Sequence, residues 1–322
     1  MAPESILVIK PSSLGDVVHT LPAVSLVRRA WPKARLAWVV NPEWSPLLEG
    51  NPDVDEVVIF PRRELGGSPL KTLRWLRELR AGHRSDLVLD FQGLLRSAVM
   101  GRFARGGRLA GLSDAREGAR YFYDDVAQVG REHAVERYLK LAAKVSAGHT
   151  EPLVWNLPPG KRPSGFELAE GSYVLLHPFS RGKGKSLTAE QAGDFAEALA
   201  CPVVLAGRAD ATLPDPMPEN LVNLLNHTSI AEMIWLIRHA RFVVSVDSGP
   251  MHIAAALTPN LLSIHTWSDP RLVGPYRPEA WILKDRTLFQ ARELREGPAT
   301  GKPLAAPDIK AVAAHVATLI GG

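Results

Sequence analysis

The chain has a single cysteine, Cys201, in 322 residues. That excludes an internal disulfide and any zinc site built on clustered thiolates. Cys201 lies in the apolar run 201–205, the setting of a buried, inert thiol. The ten histidines are scattered and show no H-E-x-x-H or similar ligand spacing, so neither a metal nor a cofactor is expected. Residues 1–22 lack the basic start and long apolar run of an export signal, and no segment approaches the roughly 18 apolar residues of a membrane span. The expected location is the cytoplasm. Charge of one sign is scarcely in excess: the formal net charge is +4. All of that excess lies in residues 1–160, with 22 Lys plus Arg against 18 Asp plus Glu, whereas the remainder has 16 of each. There is no short-period repeat or low-complexity tract. What is left is a soluble, globular composition, 46% apolar and 22% charged, long enough for two domains.

The stretch FVVSVDSGPMHIAAAL, residues 242–257, carries the strongest local signal. A short β-branched run (residues 242–246) reads as a buried strand, Asp247-Ser248-Gly249 as a tight turn, and Pro250 as the first turn of a helix, where a missing N–H is tolerated. A helix start at the carboxyl end of a buried strand is a site for phosphate or pyrophosphate. Asp247 and His252 bracket it with polar side chains.

Strand and helix patterns alternate along the whole chain. Residues 6–9 read as a first strand, and the loop through Ser13, Gly15 and Asp16 leads into a helix. Asp16 suits a helix N-terminus electrostatically, and it stands where a catalytic base at a strand end would stand. This turn lacks G-x-G-x-x-G, which argues against a nicotinamide-dependent oxidoreductase. Residues 36–40, 57–60 (leading to Pro61-Arg62-Arg63) and 86–90 are further strands, the last turning through Gln92 into a helix with Arg96. Between residues 96 and 120 there are six arginines against two acids, a cluster suited to phosphates or sugar-acid carboxylates. No nucleic-acid motif accompanies it. Residues 152–171 hold four prolines and three glycines and read as a linker. Strands resume at residues 173–176, followed by HPFSRGKGK, with Ser180, Lys183 and Lys185 among glycines but without P-loop spacing. Residues 203–206 form a strand whose following loop offers Asp210 to ribose hydroxyls, and residues 261–264 form another.

KPSSLGDVVHTLPA, DFQGLLRSA, VSVDSGPMHIAAAL and SDPRLVGPY, in that order, resemble family 9 of the glycosyltransferases, the lipopolysaccharide heptosyltransferases. The first half, with WVV in the second strand and PRR after the third, is most similar to members that add the first heptose. The resemblance implies an α/β fold of GT-B architecture, two Rossmann-like doubly wound domains facing across a cleft. The expected division is an acceptor domain at 1–155, a linker at 156–171, a nucleotide-sugar domain at 172–304 and a final helix at 305–322 that packs back on the first domain.

The implied chemistry is inverting transfer of heptose from ADP-heptose to a Kdo-lipid A type acceptor, without cofactor, metal or nucleic acid. By resemblance Asp16 is the base, with Lys185 beside the phosphates. Ser180, Lys183, Asp210, Asp247, Ser248, Gly249, Pro250, Met251 and His252 would serve the nucleotide sugar. Ser13, Gly15, Arg62, Arg63, Gln92 and Arg96 would serve the anionic acceptor. The loop 180–185 is one residue longer than in the family, so Lys183 and Lys185 compete for one role. Residues 264–270, IHTWSDP, stand where the family commonly has an aromatic-Gly-x-Thr-Asp-Pro run, and Pro250 removes one donor from the phosphate cradle. An acceptor anchored in lipid implies peripheral contact with the inner membrane. Rival readings are a GT-B transferase for another nucleotide sugar and a two-domain binding protein of the periplasmic-receptor type, the latter opposed by the missing export signal.

Overall fold

The computed structural model describes residues 2–146, 152–182, 184–213, 215–294 and 306–321. The chain divides into two units between Pro158 and Pro159, within the residues expected to link them.

The first unit runs β1 (Ser5–Ile9), α1 (Leu14–Ala30), β2 (Arg35–Val40), β3 (Glu56–Ile59), α2 (Arg62–Leu65), α3 (Pro69–His83), β4 (Ser85–Asp90), α4 (Leu95–Ala104), β5 (Arg105–Leu112), β6 (Asp125–Ala127) and α5 (Ala134–Ser146). Its six strands are all parallel, in the order β3-β2-β1-β4-β5-β6, with Leu7 opposite both Ala37 and Val88. A parallel sheet needs both faces covered, which is why β1 and β2 are nearly uninterrupted apolar runs. The buried positions of α5, Ala134, Val135, Tyr138, Leu139, Leu141 and Ala142, recur at helical spacing, and that face packs on α1.

The second unit runs β7 (Val174–His177), α6 (Ala189–Glu197), β8 (Val203–Gly207), β9 (Leu221–Leu225), α7 (Ile230–His239), β10 (Phe242–Val246), α8 (Gly249–Leu257), β11 (Leu261–His265), α9 (Pro270–Val273), β12 (Trp281–Lys284), β13 (Thr287–Gln290) and α10 (Ala306–Ile320). The sheet order is β13-β12-β11-β10-β7-β8-β9, parallel except for the β12–β13 hairpin. Asp285 and Arg286, both at positive φ, turn that hairpin. α6 is capped by Thr188, whose hydroxyl accepts the Gln191 N–H at 3.0 Å.

Counted from its own first strand, the first unit has the strand order 3-2-1-4-5-6 and the second repeats it with an antiparallel seventh strand added at the edge, 3-2-1-4-5-6-7, and both are Rossmann-like α/β domains. The order reverses between β1 and β4 in one unit and between β7 and β10 in the other. Ligands of such sheets bind beyond the carboxyl ends of those strands. The final helix corrects an expectation. Ile309, Val312, Ala313, Val316 and Ile320 of α10 lie in the second unit's own core, and the helix packs on α6, where packing back on the first domain was expected. The apolar stripe of α10 is matched to the sheet face that α6 leaves open, so its burial is satisfied locally.

Candidate active site

At the first switch point the loop after β1 delivers Asp16 into the first turn of α1. Its carboxylate folds back on the helix start: Oδ2 accepts the Ser13 backbone N–H at 3.0 Å and the Ser13 hydroxyl at 2.8 Å. Oδ1 accepts the Tyr138 hydroxyl at 3.1 Å, and the Lys10 ammonium lies 3.7 Å from the same oxygen. Burial pushes the Asp16 pKa upward, but the Lys10 charge and the bonds from Ser13 and Tyr138 outweigh it and hold the group below its ordinary value. Asp16 is therefore a carboxylate at neutral pH.

The loop after β4 closes the other side. Asp90, fully buried, accepts the Gln92 and Gly93 N–H groups at 2.9 and 3.1 Å, the Ser97 hydroxyl at 2.8 Å and the Tyr123 hydroxyl at 2.8 Å. Gly93 has φ +67, which a residue with a side chain adopts at a cost, and the turn aims the Gln92 carboxamide at the first loop, where it accepts the Ser12 N–H at 3.2 Å. A cavity of about 320 Å³ opens here, lined among others by Lys10, Asp16, Gln92, Arg116, Arg137 and Tyr138.

The expected acceptor arginines separate. Arg62 and Arg96 are close enough for the Arg62 charge, together with burial, to lower the Arg96 pKa, and the buried Arg96 Nε has no hydrogen-bond partner. Arg63 points to solvent, its side chain 90% exposed, with Glu43 at 3.9 Å. Nor does the arginine-rich window form one anion site. Arg102 and Arg105 reach Asp124, and Arg108 reaches Asp125, two acids that lie just beyond the window in sequence but beside β5 in space.

At the second switch point α8 begins at Gly249 with Pro250 in its first turn and no side chain capping it. Ser248, in the capping position, is turned elsewhere: its hydroxyl lies 3.1 Å from His177 Nδ1 and 3.2 Å from the Ser245 hydroxyl. The helix start, with its dipole, thus faces outward for an anion. Lys185 donates to Asp247 Oδ2 at 2.6 Å. Burial raises the Asp247 pKa, but His265, the bonds from Lys185 and Ser268, and His252 outweigh it, and the net value is below the ordinary one. Burial holds both His177 and His265 at about 4, so both are neutral at pH 7 and Lys185 is the positive partner that Asp247 has there. The 180–185 loop closes through Ser186, whose hydroxyl accepts the Ser180 N–H at 2.9 Å. It is also held by Thr266 Oγ1 and Trp267 Nε1, both donating to the Gly184 carbonyl. Met251 is fully buried, and His252 is buried one turn into the helix. Asp210 is exposed in the loop after β8 and makes no ion pair or hydrogen bond with this cluster. Lys183 lies outside the described residues.

The family model described as glycosyltransferase family 9 (heptosyltransferase) matches residues 72–301. The chain belongs to glycosyltransferase family 9. It is 31% identical to lipopolysaccharide heptosyltransferase 1 of Pseudomonas aeruginosa, over 84% of this chain and 81% of the relative. To the Escherichia coli K12 protein of the same name it is 29% identical, over 87% and 93%. Its fold is similar to that of E. coli heptosyltransferase WaaC solved with ADP, with a TM-score of 0.76 at 23% identity, covering 97% of this chain and 99% of that one. The protein is thus an enzyme that transfers glycosyl groups, on a GT-B fold.

Several side chains at the two strand-end clusters, one in each unit, were not among those expected from sequence. Lys10 reads as the first residue of the loop after a strand, and Tyr138 as part of a helical pattern; only the fold brings Tyr138 to Asp16. His177 and His265 end β7 and β11, and their position after buried apolar runs was the signal that would have found them.

Proposed function

We propose that the protein transfers L-glycero-D-manno-heptose, with inversion, from ADP-heptose to a hydroxyl of an anionic, Kdo-bearing inner-core acceptor of lipid A. The observation that carries this reading is the ionised carboxylate of Asp16, held by Ser13, Tyr138 and Lys10 in a cavity beyond the end of β1. Family membership and the shared identity with two proteins named lipopolysaccharide heptosyltransferase 1 support heptose as the sugar.

Inversion follows from a single displacement. Asp16 takes the proton of the acceptor hydroxyl as its oxygen bonds to the anomeric carbon, and the bond from that carbon to the diphosphate oxygen breaks. ADP leaves with the electron pair. Charge then grows on the diphosphate, where the Gly249 and Met251 amides, the helix dipole and the Lys185 ammonium stabilise it. Pro250 supplies no N–H, which leaves the cradle to its neighbours. Asp247 and His252 shape the sugar side, and Ser180 and Asp210 approach the phosphates and the ribose.

Acceptor charge suits Arg62 and Arg96, with Arg116, Arg137 and Lys10 lining the cavity itself. Reaching a lipid-anchored acceptor requires peripheral contact with the inner membrane's cytoplasmic face. Among the described residues no helix is long and apolar enough to cross a membrane. Leu70 and Tyr121 of the first unit, 81% and 82% exposed, are suited to such contact. Flotation with anionic liposomes tests it; no binding with or without acceptor would remove that part of the reading.

The deciding test is a mass-resolved transfer assay with ADP-heptose and deacylated Kdo-lipid A, run beside Asp16→Asn. Heptosylated product from the parent, with a loss of about 10²-fold or more in the variant, is expected. Product from another nucleotide sugar but none from ADP-heptose would keep glycosyl transfer and overturn the heptose.

A further inference from the structure

The displacement as written uses Asp16 alone in the first unit's cavity, yet two buried polar groups touch it or its partners. Tyr138 is 3% exposed and Lys10 likewise 3%. Lys10 Nζ donates to the Phe91 carbonyl at 3.0 Å and to the Tyr138 hydroxyl oxygen at 2.8 Å. Since that oxygen already accepts from an ammonium, which has no lone pair to offer, the hydroxyl's own proton must point away from Lys10. Its remaining partner is Asp16 Oδ1, at 3.1 Å. The ring cannot swing aside: it lies edge-on to Phe91 with centroids 5.6 Å apart, and Lys10 Nζ sits 4.8 Å from its centroid.

The two carboxylate oxygens are thereby made unequal. Oδ2 has both lone pairs engaged by the two Ser13 donors. Oδ1 accepts the Tyr138 hydroxyl at 3.1 Å and has the Lys10 ammonium 3.7 Å away, beyond hydrogen-bond distance, so it is the less fully engaged of the two. We infer that the Tyr138 hydroxyl, oriented by Lys10, is the positioning group of the base: it locks the carboxylate so that Oδ1, not Oδ2, receives the acceptor's proton. The inference rests on the reading of Asp16 as the general base.

The charged and titratable groups around this pair are Lys10 at the end of β1, Asp90 at the end of β4, Asp114 after β5, and Arg137 beside Tyr138 on α5. Arg137 is ion-paired with Asp114 at 2.6 Å. Burial lowers the Lys10 pKa while Asp16 and Asp90 oppose the fall; burial and Asp16 together raise that of Tyr138 well above its ordinary value. Tyr138 therefore stays a neutral donor throughout the working range of pH. Each donor to Asp16 favours its ionised form, so removing one raises its pKa, and the acid limb of the rate profile must move to higher pH.

The experiment is a pH profile of kcat with ADP-heptose and deacylated acceptor for the parent, Asp16→Asn, Tyr138→Phe and Leu139→Ala. Tyr138→Phe keeps the ring and deletes the hydroxyl. It should lower kcat roughly tenfold or more, leave KM for ADP-heptose within about twofold, and shift the acid limb upward. Leu139→Ala, a buried packing change on the same helix, should lower Tm and leave the acid limb in place. A protein carrying 3-fluorotyrosine at position 138, whose phenol is a stronger donor of the same shape, should shift the acid limb the opposite way; this arm keeps the test alive should Tyr138→Phe fold poorly. Parental kcat and acid limb in Tyr138→Phe, with Asp16→Asn inactive, would overturn this inference alone. An equal limb shift in Leu139→Ala would overturn it in favour of packing. An active Asp16→Asn would overturn the base assignment and this inference with it.

Discussion

The two units share one strand order and place polar groups at the same topological point, yet they solve opposite electrostatic problems. Beyond β1 a carboxylate is kept charged by an ammonium, a phenol and a serine, so that negative charge is presented to the cavity. Beyond β10 the carboxylate is bound by Lys185, and His177 and His265 are neutral, so that an uncapped helix start and a lysine present positive potential. The difference teaches that the doubly wound sheet fixes where a ligand goes and the few residues of the strand-end loops fix its sign. That contrast is what the proposed reaction asks for, a base at the first site and a departing anion at the second.

The largest test of that contrast is Lys185→Met. It removes the positive partner from the second site and leaves Asp247 buried beside the leaving group. A fall of about 10²–10³-fold in kcat/KM is expected in the transfer assay. Weakened ADP binding by calorimetry should accompany it, with the acid limb set by Asp16 unmoved. A moved limb would mean that the two sites do not act separately.

Next in size is acid stability. His177 and His265 titrate near 4 in the fold, against 6.5 for an ordinary histidine. Between those values the unfolded chain takes up protons that the folded one does not, so the second unit loses stability as pH falls from about 6.5 to 4. The loss is on the order of 2–3 kcal/mol for each histidine at the lower end. At the first site the two carboxylates differ in sign: the lowered Asp16 contributes stability that is full above the ordinary carboxylate range and is lost as pH falls through its own lower value, below the window in which the histidines act, whereas burial raises Asp90, so acidification relieves rather than penalises that group. Hydrogen exchange resolved by peptide, corrected for intrinsic rates, should show protection falling first in β7, β10 and β11, and His177→Gln should flatten that dependence.

How much of this was legible in the sequence differs between the units as well. Strands that are nearly continuous apolar runs, such as β1, β2, β8 and β10, declare themselves, and so do the turns that follow them. β5 does not: RGGRLAGL carries glycines and arginines because Gly107 passes so near Asp86 that a Cβ would lie 2.3 Å from its carbonyl oxygen. Arg102, Arg105 and Arg108 pair with acids that only folding brings alongside, so composition alone could not separate them from the other arginines of the window. At the second site Asp247, Ser248 and Lys185 lie within local motifs and could be found. Around Asp16 the decisive partner, Tyr138, is 122 residues away and sits where helical periodicity calls for core.

Gly111→Ala should act on the first unit alone. A Cβ there would meet the Tyr123 ring at 2.3 Å, and that ring's hydroxyl holds Asp90. Moving the ring costs about 1–3 kcal/mol, read as a lowered Tm, with ADP affinity unchanged. Loss of ADP affinity would show that the second site depends on packing in the first unit.

Ser248→Ala separates two ways of building the anion site, and its effect is the smallest. The Ser248 hydroxyl is engaged with His177 and Ser245. If the backbone amides and Lys185 do the binding, deleting it disturbs a buried polar chain without removing a phosphate contact, so ADP affinity falls by no more than about tenfold, about 1.4 kcal/mol. His177 would lose its Nδ1 partner, and a compensating Ser248→Thr should restore affinity because the hydroxyl is kept. A fall of 10²-fold or more in Ser248→Ala would instead make the hydroxyl a direct phosphate ligand. The second site would then rely on a side chain as heavily as the first relies on Asp16, and the contrast between a backbone-built anion site and a side-chain-built base would be lost.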